Sequence, residues 1–305
     1  MEGRVNHSAL EPIDVRFKGL ERVICCWRVG DVLVDPGPES SLEHLLDALG
    51  DGFAPRALLL THIHLDHAGA TGALVRRFPE LEVYVHERGA PHLIDPSKLL
   101  ASAGRLYGEQ NMTALWGEIL PVPAERVRAL SGGETLAPGG SGRVRVAYVP
   151  GHASHHVAYL HEDSGCAFVG DMAGVRIPPA DVTIAPTPPP DIDVEAWEAS
   201  LDRIAAWGPA SLALTHFGGV EAVEEQLEAV RASLRELAQL ARSGGPETVA
   251  AAVRDRVDTT GDRFLRAAYA SAVPPEQIYQ GLERYWRKRA EREAVGGTPA
   301  GVHSA

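Results

Sequence analysis

Four residues able to hold a metal ion fall within the six positions from 62 to 67: His62, His64, Asp66 and His67. Neutral imidazoles and carboxylates are the groups that zinc and similar divalent ions take as ligands. With only 13 histidines in 305 residues, so dense a cluster is hard to justify as packing. Scattered histidines such as His7, His44, His86, His92, His161 and His303 read instead as surface or capping residues. Three further candidates stand alone: His152 after Val149-Pro150-Gly151, Asp171 after Phe168-Val169-Gly170, and His216 after Leu212-Ala213-Leu214-Thr215. Each comes after a short apolar run, as the first cluster comes after the run 56–60. A loop leaving the end of a strand can aim several side chains at one point, so this recurring order predicts one shared site.

The elements that must position these residues are read from the pattern of apolar residues. Strands are expected at 13–18, 23–29 and 32–35, with a hairpin at Gly30-Asp31. A helix over 41–49 and a strand at 56–60 come next, then a helix over 68–78 and a strand at 82–86. Residues 87–130, with mixed helical patches and scattered Gly and Pro, read as an insertion. Strands return at 143–149, 157–160 and 167–169, followed by a proline-rich loop at 177–190, a helix over 194–207 and a strand at 211–214. Two halves of similar order suggest an α/β fold in four layers, αββα, with two sheets face to face and helices outside. From residue 219, Val220, Val223, Leu227, Val230, Leu234, Leu237 and Leu240 mark one face of a long helix. Two or more helices should fill 247–293. The expected organisation is a domain over 1–218, a helical region over 219–295 and a disordered tail over 296–305.

Composition narrows the function. Lys and Arg number 29 against 41 Asp and Glu, a formal charge of −12, which repels nucleic-acid backbones and anionic membranes. Cys25, Cys26 and Cys166 suggest no disulfide framework, and Cys166 reads as a small core residue. No signal-peptide pattern and no run of about 18 apolar residues is present, so a cytoplasmic protein is expected. A small-molecule substrate is expected, with no nucleic-acid or membrane partner; homo-oligomerisation stays open.

The run H-x-H-x-D-H at 62–67, with the later His152, Asp171 and His216, resembles the signature of the metallo-β-lactamase superfamily, in particular its glyoxalase II-like and lactonase-like hydrolases. The resemblance covers residues 13–217. It implies that His62, His64 and His152 hold one metal, that Asp66, His67 and His216 hold a second, and that Asp171 bridges the two. It also likens Leu33-Val34-Asp35-Pro36-Gly37 to the family's early D-x-G element, which would place Asp35 behind the ligands; a turn-forming Asp reads equally well. His156 matches the second histidine of a G-H-x-x-x-H segment, whereas the neighbouring His155 has no matching role.

The reaction implied is hydrolysis of a small ester, thioester or lactone by a hydroxide that two divalent ions activate, with Asp66 orienting it or accepting its proton. Zinc is the expected metal; manganese and iron accept the same ligands. Phosphodiester cleavage and a mononuclear iron dioxygenase acting on persulfides are the alternatives within the superfamily. Its antibiotic-degrading zinc enzymes of similar pattern carry a cysteine where this chain has Asp171. Tyr107 and Trp116 are candidates to line a substrate pocket, as are Met112, Tyr279, Tyr285 and Trp286, although helix aromatics more often fill cores. The basic stretch Arg284, Arg287, Lys288, Arg289 and Arg292 reads as a solvated helix face.

Overall fold

Runs of β-branched and other apolar residues without a helical period form strands, and here they gather into two sheets of six strands each. The computed structural model describes residues 10–296. Along the first half, β1 (Leu10–Asp14), β2 (Cys25–Val29) and β3 (Val32–Val34) form an antiparallel meander. Helix α1 (Leu42–Leu49) leads to β4 (Ala57–Leu59), which joins β3 in parallel. Then α2 (Leu65–Ala68) and α3 (Thr71–Arg77) precede β5 (Glu82–His86). Helices α4 (Ala90–Ile94), α5 (Ser97–Tyr107) and α6 (Met112–Trp116) precede β6 (Val127–Leu130), and both β5 and β6 extend the sheet in parallel.

The second half repeats the plan. β7 (Thr135–Leu136), β8 (Val144–Tyr148), β9 (Val157–His161) and β10 (Cys166–Gly170) pair antiparallel, each with the next. A short ribbon of β11 (Val175–Arg176) and β12 (Thr183–Ile184) comes after them. Helix α7 (Val194–Ala205), capped by the Asp193 side chain on Ala196 N, then leads to β13 (Ser211–Leu214), parallel to β10. β14 (Gly218–Val220) closes the sheet edge. Four helices complete the chain: α8 (Val223–Ser243), α9 (Pro246–Asp258), α10 (Arg263–Ala272) and α11 (Pro275–Gly296).

Alternation along the strands explains the layering. Cys25, Trp27, Val34, Leu59, Val157, Phe168 and Ala213 meet in one apolar cluster between the sheets, where the Trp27 and Phe168 rings lie 6.0 Å apart, edge to face. Their strand neighbours Cys26, Leu33, Leu58, Leu160, Val169 and Leu212 face the opposite way, into a larger cluster shared with Leu45, Leu74, Trp197 and Leu201 of the covering helices. Strands buried on both faces need no polar alternation, which is why they read as continuous apolar runs. The αββα expectation therefore stands, with helices at the C-terminus. No described helix is long and apolar enough to cross a membrane.

Several boundaries differ from the sequence expectation. The first strand covers Leu10–Asp14 rather than 13–18; Phe17–Gly19 is a 3-10 turn, with Arg16 before it and Lys18 within it at positive φ, 55° and 54°. The helix expected at 68–78 is two helices, and the first begins inside the ligand run with Asp66 and His67 in its first turn. The insertion at 87–130 ends in β6, an integral strand of the first sheet, because Val-Arg-Ala-Leu is too short to declare itself. The boundary expected at 218 falls inside β14, whose Gly-Gly-Val sequence carries little strand signal and is placed by pairing with β13. Apart from Gly296, which ends α11, the tail expected over 296–305 lies outside the described residues, as do His7 and His303.

Candidate metal centre

All seven proposed ligands lie at one edge of the sandwich because each comes after a strand or in a strand-linking loop there. The loop after β4 brings His62 and His64, and the first turn of α2 brings Asp66 and His67. His152 lies between β8 and β9, Asp171 directly after β10, and His216 directly after Thr215 beyond β13. Two glycines allow the approach. A Cβ on Gly170, at φ +50°, would meet Thr61 Oγ1 at 2.5 Å; one on Gly151, at φ +142°, would meet Trp197 Cα at 2.3 Å.

The donor atoms form two triads. His64 Nδ1 lies 2.9 Å from His62 Nε2 and 3.0 Å from His152 Nε2. Asp66 Oδ2 lies 3.9 Å from His67 Nε2 and 3.4 Å from His216 Nε2. Asp171 stands between them: its Oδ1 is 3.2 Å from His67 Nε2 and 3.5 Å from His216 Nε2, while its Oδ2 is 3.3 Å from His152 Nε2. The sets His62–His64–His152 and Asp66–His67–His216 are each compact enough to close on one ion.

The far side of each ring fixes which nitrogen carries the proton. His152 Nδ1 is 2.9 Å from the Pro186 carbonyl and His216 Nδ1 is 2.6 Å from the Val23 carbonyl; a carbonyl only accepts, so both Nδ1 atoms donate. His67 Nδ1 donates to Asp35 Oδ2 at 2.8 Å. Thr61 Oγ1 gives its one proton to Asp35 Oδ2 at 2.7 Å, so it accepts from His62 Nδ1 at 3.1 Å. Each of these four rings, when neutral, therefore turns an Nε2 lone pair inward. His67 Nε2, His216 Nε2 and Asp171 Oδ1 are buried with no hydrogen-bond partner. Lone pairs that the neutral rings turn toward one another, beside two carboxylates, fit a cation that would displace any proton there, so the residues present suit the implied metals.

Electrostatics divides the two triads. Burial, reinforced by neighbouring imidazoles, holds the pKa of His62 well below its usual value and brings His64 down to about 4; burial also lowers His152 against the pull of Asp171. In His67 and His216 burial works in the same direction, but Asp171 and Asp66 outweigh it and the pKa rises. Conversely, burial opposes ionisation of the two carboxylates, yet His67 and its neighbours hold Asp66 at about 2 and Asp171 well below the carboxylate range.

Behind the ligands, Asp35 is fully buried and accepts from Thr61 N, Thr61 Oγ1, Thr215 Oγ1 and His67 Nδ1. His156 stacks on His62, ring centroids 4.8 Å apart, with neither nitrogen hydrogen-bonded. His155 Nδ1 accepts from Ile63 N at 3.4 Å. The sequence reading missed Thr61 and Thr215, although each directly precedes a proposed ligand, and a Thr-His pair after a strand was the available signal. The carbonyls of Val23 and Pro186 leave no sequence signal.

A cavity of about 460 Å³ opens over His64, Asp66, Asp171 and His216. Tyr107 and Trp116 line it, as do the 186–190 loop and residues between 271 and 278. Met112, Tyr279, Tyr285 and Trp286 do not: Met112 and Tyr279 pack against the apolar core, while Tyr285 donates to Glu195 at 2.7 Å and Trp286 to the Ala238 carbonyl at 2.8 Å. Of the basic stretch, Arg284 reaches the cavity.

Comparison with known proteins gives concordant results. The profile of the Metallo-beta-lactamase superfamily matches residues 29–216. A metallo-beta-lactamase fold-containing protein of Sulfurisphaera tokodaii is 29% identical over 213 residues, covering 67% of this chain and 76% of its own. A hydroxyacylglutathione hydrolase of Yersinia enterocolitica is 35% identical over 139 residues, 44% of this chain; the match spans only 41% of that enzyme's length. Among solved structures, a metallo-beta-lactamase family protein of Thermus thermophilus superposes with a TM-score of 0.63 at 22% identity, covering 96% of both chains.

Proposed function

The chain belongs to the metallo-beta-lactamase superfamily and is a metallo-hydrolase, and from that premise we propose that it cleaves a small ester, thioester or lactone at a centre of two divalent ions. The observation that carries the reading is the placement of Asp171, one oxygen toward His152 of the first triad and the other toward His67 and His216 of the second. His62, His64 and His152 would hold one ion, Asp66, His67 and His216 the other, and Asp171 both. Zinc is the metal proposed, since imidazole and carboxylate ligands suit it; manganese and iron are the alternatives.

Such ions, when bound, lower the pKa of a coordinated water toward about 7 and polarise a carbonyl. The chain's own residues do the rest. The Asp66 side chain is 24% exposed where it faces the cavity, so it can meet a water there and accept its proton. Water adds to the carbonyl carbon, the C–O or C–S bond breaks, and the proton passes to the departing oxygen or sulfur. Asp35, Thr61 and Thr215 hold the rings in register behind the site. A division into a sandwich ending near residue 220 and a helical region, and a cytoplasmic setting suited to the free Cys25, Cys26 and Cys166, are part of the same proposal.

The test is hydrolysis by metal-loaded protein of lactones, thioesters, esters and phosphodiesters, with metal content measured per chain. Two ions bound, turnover of a carboxylic substrate, and loss of both in Asp171→Ala are expected. Turnover of phosphodiesters alone, or oxygen uptake with a persulfide, would overturn the assignment.

A further inference from the structure

The cavity above the centre changes character along its depth. Asp66 and Asp171, at its floor, are the only carboxylates that line it among the described residues. Its wall is aromatic and aliphatic: Trp116, buried, stacks on Phe17 with centroids 5.4 Å apart and meets Tyr107 edge to face at 4.9 Å, beside Leu99 and Leu106. At its mouth stand three cations, with Lys18 and Arg105 exposed and Arg284 half-buried. None of the three is ion-paired among the described residues, and Arg284 Nε donates to the Pro190 carbonyl at 3.1 Å. Lys18 is also held at φ +54°, a conformation that costs energy outside glycine and that functional sites tend to retain.

Resting on the hydrolase reading above, we propose that this site takes an ester or thioester whose acyl chain is a medium-length hydrocarbon ending in an anion. The hydrocarbon lies against Phe17, Tyr107 and Trp116, and the anionic end meets Lys18, Arg105 and Arg284. The apolar wall stabilises the chain in proportion to the area it covers. The cations offset, locally, the repulsion that a chain of net charge −12 exerts on an anionic substrate. A substrate polar along its whole length leaves the aromatic wall unmatched.

The experiment compares kcat/KM of the metal-loaded full-length protein for p-nitrophenyl acetate, butyrate, hexanoate and octanoate. To these are added the p-nitrophenyl monoester of suberic acid, in which a carboxylate replaces the terminal methyl of octanoate, and a hydroxyacylglutathione. Values should rise about threefold per methylene along the neutral series. The suberate monoester should exceed octanoate by about tenfold at low salt, and the ratio should shrink as salt screens the rim. Lys18→Gln with Arg284→Gln should bring that ratio toward one. A flat or falling neutral series, an equal suberate monoester, or a preferred hydroxyacylglutathione would overturn the proposal while leaving the hydrolase reading in place. If no ester is cleaved, calorimetry with suberate and octanoate decides: tighter suberate binding keeps the cavity assignment, and equal binding overturns it, while the hydrolase reading stands or falls on the substrate panel above.

Discussion

Asp35 sits at φ +49°, fully buried, and its Oδ2 alone accepts from Thr61, Thr215 and His67. One carboxylate thus ties the ends of β3, β4 and β13 together behind the proposed second ion. In Asp35→Asn an amide N–H must face at least one of these donors. Metal affinity should fall roughly 10–100-fold, as for other residues that orient ligands, read by competition with a chromogenic chelator; an unchanged affinity would show that Asp35 is only a turn residue. Gly170 permits no side chain at its place between Thr61 and His156, so Gly170→Ala should lose about 1–3 kcal/mol of stability in denaturant titration. The proposed ligands stood out in sequence because histidine is scarce and the spacing dense. Thr61 and Thr215 were not, since a threonine beside a histidine is ordinary until Asp35 arrives from a distant strand.

At the scale of elements, the C-terminal helices reach the centre through the 186–190 loop. Thr187 Oγ1 donates to the Ile278 carbonyl at 3.1 Å, and the Pro186 carbonyl accepts from His152 Nδ1 at 2.9 Å, so α11 and a proposed ligand share one short loop. The contact is tight: a Cβ on Gly281 would lie 1.9 Å from the Thr187 carbonyl oxygen. Gly281→Val should therefore force the loop away and cost about 1–3 kcal/mol. Its metal affinity should fall too, whereas Glu283→Ala, on the exposed face of the same helix, serves as the control. Equal metal affinity in the two variants would mean that α11 covers the site without supporting it. The helical periodicity of this region was plain in sequence, but not its destination, because an apolar stripe says that a face is buried and not against what.

For the whole molecule, the centre gathers five histidines and two aspartates, nearly all buried, into one edge of the sandwich. Metal binding there should stabilise the fold as any ligand of the native state does. At a thousandfold excess over Kd the gain is about 4 kcal/mol. Treatment with a chelator should lower Tm by several degrees in calorimetry, and re-addition of zinc should restore it; a Tm indifferent to metal would contradict the proposed centre.

The sequence by itself pointed to the proposed ligand set, to most of the strands and helices, and to the family, because those depend on residue type and local spacing. It could not place β6 or β14, whose few residues become strands only by pairing with β5 and β13. Nor could it show that Phe17, Trp116 and Arg284, far apart along the chain, share one cavity. Those facts were decided by tertiary structure, since pairing partners and cavity walls are supplied by segments that no local pattern connects.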